Sequence, residues 1–252
     1  MLKVRIIPVL LLRNGRMVKG VNFSNYRDTG DPVFASRVYN SQYVDELIFI
    51  DIDATNENRE TNCEVIEQVS KECFMPFTIG GGITKVEQIR KLLSAGADKV
   101  VINTAAIDNP GLIKESSEIF GNQCIIVGID VRSEDGKYII YKNSGRMKTN
   151  LDFIGHIKNM EESGAGEFFI NSIERDGMMN GYDLNLIKLV LENTNVPVIA
   201  CGGAGNFMHL VDTYKETGIK ALAMASIYHF GDNNPIRARS YLKNHNIEIK
   251  VV

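Results

Sequence analysis

A chain of 252 residues with 44% apolar and 23% charged side chains has enough apolar surface to bury a large core, and that balance excludes extensive disorder. A formal net charge of -3 supplies no basic field for nucleic acid or anionic membranes, so a small-molecule ligand is expected, with no nucleic-acid or membrane partner. Cys63, Cys73, Cys124 and Cys201 are dispersed with no C-x-x-C pair, no secretory leader precedes the first apolar run, and no apolar run is long enough for a membrane span; the expectation is a reduced, cytoplasmic chain.

Eight short β-rich runs recur along the chain, at 5–11, 46–51, 74–79, 99–103, 124–130, 167–171, 196–200 and 220–224. Between them, segments such as 85–95 and 185–192 place apolar residues at three- and four-residue steps, as amphipathic helices do. Eight alternating strand and helix units in a chain of this length favour a closed (β/α)8 TIM barrel over an open doubly wound sheet. Nothing resembles a linker, so one barrel over 1–252 is expected. The segments 13–31 and 133–149, rich in glycine and polar residues, read as long loops at the catalytic mouth.

Laid over itself with an offset of about 121 residues, the chain repeats. Asp45-Glu46-Leu47-Ile48-Phe49-Ile50 falls on Gly166-Glu167-Phe168-Phe169-Ile170-Asn171, and Gly80-Gly81-Gly82 falls on Cys201-Gly202-Gly203. The expected history is duplication of four βα units into half-barrels of about 1–122 and 123–252.

In each half a strand runs into a glycine turn that leads to a helix, which lets backbone N–H groups approach an anion. Gly82 marks the first turn and Gly203 the second. A following strand ends at Asn103-Thr104 in one half and Ala225-Ser226 in the other, suited to completing a phosphate cup. The pair implies a bisphosphorylated small molecule.

Carboxylates at strand ends are the remaining candidates: Asp51, Asp53, Asp130 and Asp176, of which Asp130 and Asp176 are the stronger choices for proton transfer. Each could instead cap a helix or brace a loop. Lys19 could reach over a phosphate or stand as a solvated loop lysine. The histidines, His156, His209, His229 and His245, lack ligand spacing and read as surface or packing residues; no metal and no cofactor is expected. Arg5, Glu46, Lys99 and Glu167 each lead a strand with a charge, alternating in sign. They read as a ring closing the barrel base, either a structural brace or a gate.

These residues resemble the cyclase subunit of imidazole glycerol phosphate synthase, a family of histidine biosynthesis. The resemblance covers nearly the whole chain and includes Val18-Lys19-Gly20-Val21-Asn22-Phe23, Arg27-Asp28-Thr29-Gly30-Asp31-Pro32, Ile102-Asn103-Thr104-Ala105-Ala106, Arg175-Asp176-Gly177, Gly181-Tyr182-Asp183 and Gly202-Gly203-Ala204-Gly205-Asn206. It implies a barrel that docks on a glutaminase subunit, with Asp98 near the interface. Arg5, Glu46, Lys99 and Glu167 become the ammonia gate, and Lys19, Asp51, Gly82, Asn103, Thr104, Ser144, Gly177, Gly203, Ala225 and Ser226 the phosphate and substrate site.

One departure stands out. Where the family ends its first strand Pro-Cys-Leu-Asp-Val, this chain reads Pro8-Val9-Leu10-Leu11-Leu12, so Leu11 replaces a catalytic aspartate that works with the one matching Asp130. Losing one member of an acid–base pair typically lowers the rate by about 10²–10⁴-fold. Asp53 is a possible substitute from the next strand. The stretch 8–15 also resembles a paralogous branch associated with amidation of bacterial surface sugars, implying its own glutaminase-like partner and a separate sugar amidotransferase. Three functions follow as expectations: an ammonia-supplying barrel for that amidation, a true cyclase of histidine biosynthesis, or a scaffold that activates its glutaminase. The histidine-pathway sugar isomerase shares the two-phosphate half-barrel design, but the motif matches favour the cyclase branch.

Overall fold

The computed structural model describes residues 3–250. β1 (Arg5–Arg13) continues past the barrel wall and turns into β2 (Arg16–Val21) and β3 (Ser24–Gly30), followed by α1 (Pro32–Ser41), β4 (Leu47–Asp51) and α2 (Cys63–Ser70). Next come β5 (Phe77–Gly80), α3 (Val86–Ser94), β6 (Lys99–Ile102), α4 (Thr104–Asp108) and α5 (Gly111–Phe120). The second half holds β7 (Ile125–Glu134), β8 (Lys137–Lys142), β9 (Met147–Lys148), α6 (Phe153–Glu162), β10 (Glu167–Ser172), α7 (Leu184–Leu191), β11 (Val198–Cys201), α8 (Phe207–Thr217), β12 (Ala221–Met224), α9 (Ser226–His229) and α10 (Pro235–Asn244).

Strands β1, β4, β5, β6, β7, β10, β11 and β12 pair in parallel in that order, and β12 returns to β1 with Arg5 opposite Ala221 and Pro8 opposite Met224. This closure makes the expected (β/α)8 barrel and removes sheet edges. Two-residue alternation sorts β1: Ile6, Leu10 and Leu12 pack outward under the helices, whereas Ile7, Val9 and Leu11 point into the barrel. Outside the barrel wall, Phe49 and Phe77 meet edge to face with ring centroids 5.4 Å apart. Fully burying such a side chain contributes about 1.5–3 kcal/mol. Helix starts are fixed locally. Asp31 accepts from the Phe34 N–H at 2.8 Å ahead of Pro32, and Asp183 accepts from the Leu186 N–H at 3.0 Å.

Several sequence expectations need correction. The segments 13–31 and 133–149 are not structureless loops: β2 and β3 extend β1, and β8 and β9 extend β7, as antiparallel ribbons standing on the mouth. Their turns are Asn14-Gly15 (φ 50° and 72°) and Asp135-Gly136 (φ 49° and 75°), the residue pairs that a two-residue hairpin turn demands. The third strand begins at Phe77, not 74, and Phe74 is exposed at the base. Among the described residues no helix is long and apolar enough to cross a membrane.

Candidate active site at the barrel mouth

The strands deliver two polar layers separated by an apolar one. At the base, Arg5 Nη1 meets Glu46 Oε2 at 2.8 Å, Arg5 Nη2 meets Glu167, and Lys99 Nζ lies 3.2 Å from Glu46 and 3.1 Å from Glu167. Each cation bridges both acids, so the four form one closed ring, as the alternating charges suggested. Glu46 is 2% exposed and also accepts from the Thr78 hydroxyl at 2.9 Å. Burial works against the Arg5 guanidinium, but its bonds to Glu167 and then Glu46 hold its pKa above the ordinary value. Above the ring the interior is lined by Ile7, Ile48, Val101, Ile126, Phe169 and Ile199.

At the other end the barrel opens into one cavity. Its lining holds Leu11, Lys19, Asp51, Gly82, Asn103, Thr104, Asp130, Ser144, Asp176, Gly177, Gly203, Ala225 and Ser226, so every mouth residue singled out from the sequence except Asp53 is brought together. The residues differ in how free they are to act. Lys19 is not a solvated loop lysine: it is 2% exposed, and its Nζ reaches across from β2 to both Asp176 oxygens at 2.8 and 3.0 Å. That pairing also occupies the Asp176 carboxylate. Asp51 is held by Arg59 at 2.7 and 3.0 Å. Asp53 is clamped by Arg13 at 2.6 and 3.0 Å, with that guanidinium stacked 4.4 Å over the Tyr26 ring. It does not line the cavity, which removes Asp53 as a substitute carboxylate for position 11.

Asp130 is the exception. Its Oδ2 accepts from Asn103 Nδ2 at 2.8 Å, and no cation among the described residues pairs with it. Burial, reinforced by the charge of Asp176, pushes its pKa up to about 7, against the opposing hydrogen bonds of Asn103 and Asn171. A carboxyl so placed holds a proton near neutrality and can give or take one.

The two glycine turns match in backbone as well as sequence. Gly81 and Gly82 have φ of 108° and 67°, and Gly202 and Gly203 have 95° and 106°. A Cβ on Gly82 would lie 2.6 Å from the Arg59 carbonyl oxygen and one on Gly203 2.0 Å from that of Gly181, so both turns require glycine. The buried Ser226 hydroxyl has no partner, whereas Thr104 Oγ1 accepts from the Asn143 N–H at 3.0 Å. Ser144 pins the β8–β9 turn by donating to the Ile52 carbonyl at 2.8 Å. Away from the mouth, exposed Asp98 accepts from the Phe77 N–H at 2.8 Å at the base.

Sequence reasoning missed Phe23, Tyr26, Asn171 and Cys201, which also line the cavity. Phe23 follows Asn22 in a turn with φ of 48° and 59°, and the Asn22 N–H donates to the Asp176 carbonyl at 2.8 Å, so the β2–β3 ribbon folds over the cavity. Asn22-Phe23 was the available signal, an asparagine suited to positive φ beside an aromatic ring. Burial raises the Tyr26 hydroxyl to about 12 and holds the Cys201 thiol protonated well above its ordinary value.

Fold and site together define a (β/α)8-barrel protein with a charge ring at its base and, at its C-terminal mouth, a cavity lined by both apolar and polar side chains. The histidine biosynthesis protein family matches residues 5–234, and the chain belongs to that family. It is 44% identical to imidazole glycerol phosphate synthase subunit HisF of Streptococcus mutans serotype c over 99% of this chain and 100% of that protein. It is 46% identical to the HisF subunit of Hydrogenobaculum sp. and 45% identical to that of Bacillus cereus strain Q1, each over the full length of both chains.

Proposed function

We propose that this chain is the ammonia-accepting barrel of a glutamine-dependent amidotransferase complex. A glutaminase docks at the base beside Asp98, ammonia passes the ring of Arg5, Glu46, Lys99 and Glu167, and it emerges in a cavity that binds a bisphosphorylated small molecule between the turns at Gly82 and Gly203. The apolar interior supports passage of neutral ammonia, since burying an unpaired charge among Ile7, Ile48 and Phe169 is strongly unfavourable. The chemistry proposed beyond the barrel is amidation of a bacterial surface sugar by a separate amidotransferase.

One observation carries the choice against ordinary cyclisation. Leu11 lines the cavity where the family resemblance calls for an aspartate, and no other carboxylate takes its place, because Asp51, Asp53 and Asp176 are each held by a cation. Asp130 is left as the one cavity carboxyl with no cationic partner among the described residues. A two-carboxyl acid–base scheme is therefore incomplete.

The test is turnover of the cyclase substrate PRFAR by purified chain with ammonium. Little or no imidazole product is expected, and Leu11→Asp should raise the rate by roughly 10² or more. Rapid turnover by the unaltered chain would establish the second reading, a working cyclase of histidine biosynthesis, which full-length identity of 44–46% to HisF subunits favours.

A further inference from the structure

Three side chains on neighbouring strands form an acceptor cluster on the cavity wall. Asn103 follows β6, Asp130 lies on β7, and Asn171 lies on β10 directly opposite Asp130 in the strand register. Asn103 spends its Nδ2 donor on Asp130, leaving its Oδ1 buried with no partner; Asn171 Oδ1 is likewise unpartnered although the residue is only 8% exposed. Each orphaned oxygen has given up its hydration without a replacement, a penalty that a bound donor would remove.

The surroundings decide what that donor is. Val9, Leu11, Ile50, Val101 and Phe169 line the same cavity and offer no side-chain hydrogen-bond donor. The titratable side chains that line it besides Asp130 are Lys19, Asp176, Asp51, Tyr26 and Cys201; Lys19 is paired with Asp176, Asp51 is paired with Arg59 from outside the lining, and the buried Cys201 thiol stays protonated. At this part of the wall an anion would face the Asp130 carboxyl and two unpartnered amide oxygens, whereas the phosphate turns at Gly82 and Gly203 offer backbone N–H groups. A divalent metal is poorly served by a single carboxylate and two amides. A small cation rich in N–H donors suits all three oxygens.

We propose that Asn103, Asp130 and Asn171 form a binding site for one ammonium ion, made where ammonia leaves the apolar interior of the barrel. The idea rests on the reading that ammonia crosses this barrel. The nitrogen lone pair takes the carboxyl proton of Asp130: an N–H bond forms, the Asp130 O–H bond breaks, and the products are ammonium and a carboxylate with no further reactant. Ammonium is a weaker acid than the Asp130 carboxyl, so the proton rests on nitrogen. The ion then donates to the carboxylate and to both amide oxygens. Ammonia is thereby held at the mouth instead of diffusing back through the apolar layer, which a charged ion cannot re-enter.

The test uses the intact chain with aspartate side-chain carboxyl carbons labelled with ¹³C, slightly below neutral pH. Asp130→Asn identifies the Asp130 resonance by its loss. Replacing sodium chloride with ammonium chloride at constant ionic strength should move that resonance saturably to its ionised position. Asn171→Val, checked for folding by circular dichroism, should weaken the midpoint roughly tenfold or more. Potassium chloride is the control. No saturable shift with ammonium, or an equal one with potassium, overturns the proposal. Neither result depends on a glutaminase or on PRFAR turnover, so failure here leaves the amidotransferase reading intact, and a working cyclase would leave the ammonium site intact.

Discussion

The two ends of the barrel treat their polar groups differently. At the base, Arg5, Glu46, Lys99 and Glu167 satisfy one another, with Thr78 adding a fifth contact. At the mouth, the oxygens Asn103 Oδ1, Asn171 Oδ1 and Ser226 Oγ are buried without partners, and Asp130 has no cation. Buried polar groups are retained unpaired where a ligand completes them, so the base acts as a closure and the mouth as a receptor. The contrast also explains why an apolar layer lies between: it keeps the fixed charges of the ring from neutralising the acceptors above.

The largest test of that contrast is Glu46→Ala. It leaves Arg5 and Lys99 sharing one acid and strips the Thr78 hydroxyl of its acceptor, so the chain should lose about 4 kcal/mol of stability in urea unfolding. A loss below about 1 kcal/mol would mean that water reaches the ring and that the base behaves as a surface cluster. Lys19→Met probes the paired part of the mouth. It strands the buried Asp176 carboxylate at a cost of about 3 kcal/mol, and adding Asp176→Leu should recover most of it, because an apolar pair often replaces a buried ion pair without penalty. If the double variant is no more stable than Lys19→Met, the two side chains do not act as a pair.

How much of this was legible in the sequence follows from what is periodic and what is not. Strand alternation and the glycine turns at Gly82 and Gly203 are local, and they located the barrel and its mouth, but not Phe23, Tyr26, Asn171 or Cys201 within it. The ring was legible because a charge at the start of a parallel strand has one place to go, the barrel base. The ribbons β2–β3 and β8–β9 were missed although Asn14-Gly15 and Asp135-Gly136 announced them, because short polar strands beside glycines lack the apolar pattern that marks a buried strand. Pairing was the least legible. Lys19 and Asp176 are 157 positions apart, and Arg13 and Asp53 meet only once β1 and the loop after β4 are side by side. Those partnerships separate Asp130 from the other carboxylates, and no spacing rule encodes them.

Asp130 gives the smallest and most diagnostic effect. Its carboxyl keeps a proton up to about 7 in the folded chain, whereas the ordinary aspartate value is 3.8. The folded state therefore binds that proton more tightly than the unfolded one. The resulting stabilisation is complete below 3.8 and is lost as pH rises through about 7. Asp130→Asn has no such proton to lose. Between about pH 4 and pH 8 the unaltered chain should lose stability relative to this variant by about 2 kcal/mol, a figure reduced from the full conversion because the group faces cavity water. The comparison is made by urea unfolding of both chains at a series of pH values. Parallel pH curves would show that Asp130 ionises as an ordinary surface carboxylate, and the mouth would then lack the proton-holding acid that distinguishes it from the base. A divergence that begins above pH 4 and levels off near neutrality would place the titrating proton on Asp130, since every other ionisable group is common to the two chains.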